Sequence, residues 1–145
     1  MTGVALLVPV GVDRLVVADL RGTLMLPVGG LHAGQTPAEA AHLVLAGLPG
    51  TLRLVRRVAV HRVQMRRRKV ITHVLAAACT PPDAVHRLEY RDPRATVRVM
   101  PTQEFIDQLW TPARYRVLVS LQALATNQTA YIEDNAQCPS SPSTT

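Results

Sequence analysis

The stretch from Leu26 to Leu52, LPVGGLHAGQTPAEAAHLVLAGLPGTL, decides how the whole chain is read. Within it, Thr36-Pro37-Ala38-Glu39 is a capping box with proline at the first helical position. The Thr36 hydroxyl can accept from the Glu39 amide, and the Glu39 carboxylate can reach back to the Thr36 amide. The spacing predicts a helix through AEAAHLVLAGL that ends near Leu48, because Pro49-Gly50 follows. Just upstream, Gly22 to Pro27 reads as a short strand and Val28-Gly29-Gly30 as a loop.

Outward from that helix, the N-terminal side carries two more apolar, β-branched runs, Val4 to Val10 and Arg14 to Leu20, joined by a turn at Gly11-Val12-Asp13. The C-terminal side predicts two long strands between Leu52 and Thr80, with the basic run Arg66-Arg67-Arg68-Lys69 at their connection. Short strands follow at Val85–Tyr90 and Thr96–Met100, then a helix from Pro101 to about Trp110. A second helix starts at Thr111-Pro112, with Val117, Leu118, Leu121 and Leu124 on one face. A last strand is predicted over Thr129–Asp134. Residues 135 to 145 are polar, uncharged and rich in Pro and Ser, which predicts a disordered tail after one domain spanning residues 1–134. Interspersed strands and helices of this order favour an α/β (α+β) sandwich.

Composition narrows the classes. A length of 145 residues with 48% hydrophobic residues supports one core. No apolar run approaches the roughly 18 residues of a membrane span, and Met1–Val10 lacks the basic start and cleavage site of a signal peptide. A cytoplasmic location is the expectation. Cys79 lies in an apolar run and reads as buried, and no CxxC spacing suggests zinc. The net charge is +6, carried by 15 Arg and one Lys against 10 acids, and no acid occurs between Glu39 and Asp83.

The Leu26–Leu52 segment resembles the Nudix box and its lead-in. The family pattern runs Gly, five residues, Glu, seven residues, then Arg-Glu-aliphatic-x-Glu-Glu-x-Gly-aliphatic. Setting Gly29 as its first glycine puts Gln35 at the first Glu, Leu43 at the Arg and Val44 at the next Glu. Leu45 then matches the aliphatic, Gly47 and Leu48 take the two metal-binding Glu positions, and Gly50 matches the final glycine. The resemblance implies a Nudix-like α/β/α sandwich with a mixed central sheet. In that family the glutamates hold Mg²⁺ or Mn²⁺ against a pyrophosphate, because hard cations need oxygen ligands. Val44, Gly47 and Leu48 offer no side-chain oxygen, and helical spacing would place them on one apolar face. The expectation is a Nudix-like fold with a degenerate box, no metal and no cofactor.

Several residues are candidates for a reused cleft. His32 and His42 flank it and can act as general acid or base near neutral pH, with Glu39 on the same helix line. Capping alone also explains Glu39. Gln35, Arg57, His61, His73, Val44 and Leu48 are candidate ligand contacts, and His61 and His73 can approach one another if the two long strands pair. Glu89, Asp92, Glu104 and Asp107 are acids outside the box, though Asp92-Pro93 reads as a turn and Glu104 as a first-turn helix residue. Eight of the sixteen basic residues lie between Arg53 and Lys69. They suit either a solvated strand pair or an anion site.

The leading expectation is metal-independent acid/base chemistry (cyclisation, isomerisation or hydrolysis) on a small molecule with an apolar body and a polar or anionic head. The alternatives are a non-catalytic module for a nucleotide-like ligand or nucleic acid, a homodimer through the 44/47/48 face, and an ordinary Nudix hydrolase with relocated ligands. Nucleic acid is the less favoured partner, since the few aromatic residues lie late in the sequence, away from the arginines.

Overall fold

A computed structural model describes residues 1–47 and 50–135. The first apolar run serves two sheets. Strand β1 (Thr2–Leu7) belongs to one, and after the buried Val8 the chain enters β2 (Pro9–Val10) in the other. β3 (Arg14–Leu20), β4 (Thr23–Met25) and β5 (Val28–Gly30) follow, then α1 (Pro37–Val44), β6 (Leu45–Ala46), β7 (Leu54–Met65) and β8 (Arg68–Ala77). The chain continues through α2 (Pro82–Val85), β9 (Glu89–Tyr90), β10 (Thr96–Pro101), α3 (Thr102–Asp107), α4 (Thr111–Ala125) and β11 (Ala130–Asn135).

The main sheet has the order β11-β7-β8-β1-β5 and is mixed: β1 runs parallel to β8 and β11 parallel to β7, while β7–β8 and β1–β5 are antiparallel. A smaller antiparallel sheet joins β10, β3 and β2, with β4 paired to β3. The alternation of side chains on each strand sorts the core into two layers. Val4, Leu6, Leu75 and Ala77 pack toward Ala40, Ala41 and Val44 of α1. Ala5, Leu7, Val74 and Ala76 pack on the other face with Phe105 and Ile106 of α3 and Val117 and Ala123 of α4. The expected α/β/α sandwich with a mixed sheet is what the chain forms.

Several local expectations are corrected. Val28-Gly29-Gly30, read as a loop, is a strand in register with Gly3–Ala5 of β1. The α1 helix stops at Val44 rather than near Leu48, because Leu45 and Ala46 are extended and pair with Tyr90 and Glu89. Leu45 is 1% exposed, so core burial holds the extended turn-off. Val44 and Gly47 therefore share no helical face, and Leu48 lies outside the described residues, as do residues 136–145 of the expected tail. Val85–Tyr90 is strand only at Glu89–Tyr90, since Pro81-Pro82-Asp83 starts a short helix instead. On α4 the buried line is Val117, Ser120 and Ala123, and Leu118 points outward. Cys79 is exposed, with its Sγ near Gly11 O at 3.6 Å. Among the described residues no helix is long and apolar enough to cross a membrane.

Candidate functional site

The capping box forms as its residues dictate. Glu39 N donates to Thr36 Oγ1 at 3.1 Å, and Thr36 N donates to Glu39 Oε1 at 2.8 Å. These bonds hold the Glu39 carboxyl below its ordinary range. The preceding turn is closed by one side chain: His32 N donates to Gln35 Oε1 at 2.9 Å, while Gln35 N donates to His32 O at 3.0 Å. His32, Glu39 and His42 all face solvent.

The C-terminal end of α1 is a packed junction. Val44 is 2% exposed, and a Cβ built on Gly29 would lie 2.5 Å from Val44 Cγ2 and 3.1 Å from Arg91 Cδ. Arg91 N donates to Val44 O at 3.0 Å, and Arg91 Nε donates to Val28 O at 2.5 Å. The Tyr90 hydroxyl donates to the same Val28 carbonyl at 3.1 Å, beneath the Arg91 guanidinium, which sits 5.4 Å from the ring centroid. A Cβ on Gly47 would lie 3.1 Å from Leu88 Cδ2. Two of the positions where the resemblance implies metal-binding carboxylates are thus a buried valine and a glycine packed on leucine. Neither supplies a side-chain oxygen or a negative charge, so these two side chains do not fit a hard divalent cation. Among the described residues, no group of three His, Cys, Asp or Glu side chains converges to hold one.

A cavity of about 740 Å³ lies beside this junction, between β10 and the segment from α2 to Asp92. Val85, Leu88, Val97 and Val99 give it an apolar wall, and Arg14, His86, Glu89 and Tyr90 add polar groups. Two of its charged groups are already engaged. Arg98 Nη1 donates to Asp19 Oδ2 at 2.9 Å, and Arg94 donates twice to Asp92, whose carboxyl is pulled down to about 2. Arg14 and Glu89 belong to no ion pair among the described residues. The Asp92-Pro93 turn closes as expected, with Ala95 N donating to Asp92 O at 3.1 Å. Among the described residues, none of those expected from the sequence as ligand contacts lines this cavity, but Glu89 and Asp92, two of the acids outside the box, do. His86 and Tyr90 lie in one local stretch but in no recognisable motif, and Arg14 joins them only through the pairing of β3 with β10.

On the opposite face of the main sheet lies a polar triad centred on the buried His61. Arg116 Nε donates to His61 Nδ1 at 2.8 Å, and His61 Nε2 approaches Asp134 Oδ2 at 2.5 Å. A guanidinium can only donate, so Nδ1 is the acceptor and the neutral ring carries its proton on Nε2, facing Asp134. His61 is 2% exposed, and burial is the main cause of its lowered pKa, opposed by the hydrogen bond to Asp134. Burial also lowers the Arg116 pKa. His73 does not join this group. His61 is in register with Thr72 and Val60 with His73, so the two histidines face opposite sides of the hairpin. His73 Nδ1 instead meets Arg57 Nη1 at 3.3 Å, and burial followed by Arg57 lowers its pKa.

No family model matches the sequence, and no curated protein is similar to it in sequence. The architecture does have counterparts among solved structures. The mutator MutT protein from Bacillus halodurans superimposes with a TM-score of 0.63 over 94% of this chain and 91% of that one, at 9% identity. A Nudix hydrolase from Nitrosomonas europaea gives 0.61 over 92% and 77%, at 11% identity. The E. coli ORF135 protein gives 0.62 over 87% and 91%, at 13% identity. The fold is that of the Nudix hydrolases. At these identities the likeness concerns the fold alone.

Proposed function

We propose that this chain is a Nudix-fold protein with a degenerate box that has given up metal-dependent pyrophosphate hydrolysis and binds a small molecule with an apolar body and a polar or anionic head. The carrying observation is the 740 Å³ cavity, whose valine and leucine wall meets polar groups at Arg14, His86 and Tyr90. A cleft that is mostly apolar with a few placed polar groups is the usual form of a small-molecule site. Arg14 supplies a cation for the head group that needs no metal. The missing oxygens at Val44 and Gly47 support the loss of the hydrolase chemistry.

Decyl phosphate, an alkyl chain with one anionic head, is the probe that tests this reading. Calorimetric titration in EDTA is expected to show saturable binding that weakens about tenfold in Arg14→Ala, the equivalent of one charge-assisted hydrogen bond. It is expected to be lost in Val99→Asp, which puts an unpaired charge into the wall. Binding unaffected by both changes would reject the cavity. Mg²⁺-dependent release of phosphate or nucleoside monophosphate from a diphosphate substrate would reject the loss of hydrolase activity and favour relocated ligands.

The catalytic form of the same reading adds acid/base chemistry at His32, His42 or Glu39, the solvated groups that flank the box. It expects EDTA-resistant turnover that falls at least tenfold in His32→Ala or His42→Ala. Turnover that survives those changes but falls in His86→Ala would move the chemistry into the cavity.

A further inference from the structure

We propose that the face of β7 and β11 turned away from α4, together with the basic turn at its end, binds single-stranded nucleic acid. The fold builds this surface from residues that are far apart in sequence. Ile132 and His61 point into the α4 side of the sheet, so their strand neighbours Tyr131 and Arg62 point the other way. Tyr131 stands in register with Val60 and is 73% exposed. The late aromatic residue is thereby delivered to the arginine-rich strand that precedes it by some 70 positions.

Along β7 the same face carries Arg57 and Arg62, both exposed, and the strand ends in the turn Arg66-Arg67 followed by Arg68 and Lys69. At roughly 3.3 Å per residue, Arg57 to Arg66 spans about 30 Å. That is a strip of positive charge rather than a point site. Two acids of β11 adjoin this face: Glu133, which reaches Arg62 only at 3.8 Å, and Asp134, which is engaged with His61 but lines the same groove as Arg62 and Lys69. Arg66 has φ of +39°, a left-handed conformation in a two-residue turn where glycine or asparagine is the ordinary choice. The turn thus holds a cation where the backbone prefers a small residue.

A strip of guanidinium groups beside an exposed ring matches how single strands are held. Arginines contact the phosphates, and an unpaired base stacks on the ring without regard to sequence. A duplex hides its base faces and can use only the charges. A bilayer is the other polyanion, but the turn that would reach it first is Arg66-Arg67, with no apolar side chain to enter the hydrocarbon. The surface is separate from the cavity walled by Val97 and Val99 and does not rest on its assignment.

The test uses the full chain without an affinity tag and a fluorescein-labelled 20-mer of oligo(U), read by anisotropy between 50 and 300 mM NaCl. Duplex DNA of the same length and vesicles containing phosphatidylserine serve as the competing arms. The expected result is binding whose logarithm falls linearly with log salt, with a preference for oligo(U) over duplex. Changing Arg66, Arg67 and Arg68 together to Ala is expected to flatten the slope by about 2. Tyr131→Ala is expected to weaken binding about five- to a hundred-fold at every salt, and Tyr131→Phe to restore it. All of these side chains are exposed, and an unchanged thermal midpoint confirms folding of each variant. Equal affinity for duplex and single strand, no effect of Tyr131→Ala, vesicle binding alone, or salt-insensitive binding would each overturn the proposal.

Discussion

His61 is clamped from both sides, by Asp134 Oδ2 at 2.5 Å and by Arg116 Nε at 2.8 Å, and with this contact β7 is tied to both β11 and α4. Each partner leaves a buried group unsatisfied when removed. Arg116→Met keeps the length and apolar stem but strips Nδ1 of its donor. It is expected to cost about 1–3 kcal/mol. Asp134→Asn keeps an acceptor for Nε2 and is expected to cost less, about 1 kcal/mol. Denaturant unfolding of the two single variants and the double variant measures the coupling. Additive losses would show that the three groups do not act as a unit.

The same triad fixes a pH dependence. The folded pKa of both His61 and His73 lies below the ordinary 6.5, in each case mainly through burial. Above about pH 6.5 both rings are neutral in either state, and their contribution to stability is fully present. As pH falls below that, the unfolded chain takes up protons that the folded chain resists, so stability declines toward the folded pKa values. A protonated His61 would also point an Nδ1–H at the Arg116 guanidinium. The unfolding midpoint is expected to fall between about pH 7 and pH 5, and His61→Gln is expected to flatten that decline. A midpoint constant across this range would contradict the lowered pKa of the two rings.

Gly29 faces a different constraint, since its Cβ position is occupied by Val44 Cγ2 at 2.5 Å and flanked by Arg91 at 3.1–3.2 Å. Gly29→Ala therefore drives either β5 or α1 out of place. An overpacked core of this kind loses about 1–3 kcal/mol. Gly30→Ala, one residue on, meets nothing within 4 Å and serves as the control. Thermal midpoints of the two variants should separate by several degrees for a chain of this size, about 3–8 °C.

The contrast between Gly29 and Thr36 marks how far local sequence reaches. Thr36 and Glu39 bond across three residues, so the start of α1 was legible, as were the β7–β8 hairpin and the start of α4 at Thr111-Pro112. The end of α1 was not, because Leu45 and Ala46 leave the helix to pair with Tyr90 and Glu89, more than forty positions away. Gly29 read as loop for the same reason: its partner is Val4. The candidate site suffered most. His61 was visible as a histidine on a strand, but the partners that define it sit on α4 and β11. The cavity beside β10 is folded from one stretch, residues 82–99, and closed by Arg14 from β3. Arg116, flanked by Tyr115 and Val117, was the one local hint, an arginine entering the apolar stretch of a helix.

Ser120 offers a final test of the core against α4. Its side chain is 0% exposed, and its Oγ has no hydrogen-bond partner among the described residues. A buried hydroxyl left unpaired costs free energy that an apolar group of similar shape does not. Alanine is also the better helix former by a few tenths of a kcal/mol. Ser120→Ala is thus expected to stabilise the protein by about 0.5–1.5 kcal/mol, read as a higher denaturant midpoint at unchanged slope. Ser120→Val adds bulk and a β-branch against β7 and is expected to lose stability instead. A destabilised alanine variant would mean that the hydroxyl has a partner, such as a bound water, and that α4 is tied to β7 by a polar contact beyond the Arg116–His61 bond and the bond from Arg56 Nη2 to Ala123 O at 2.8 Å.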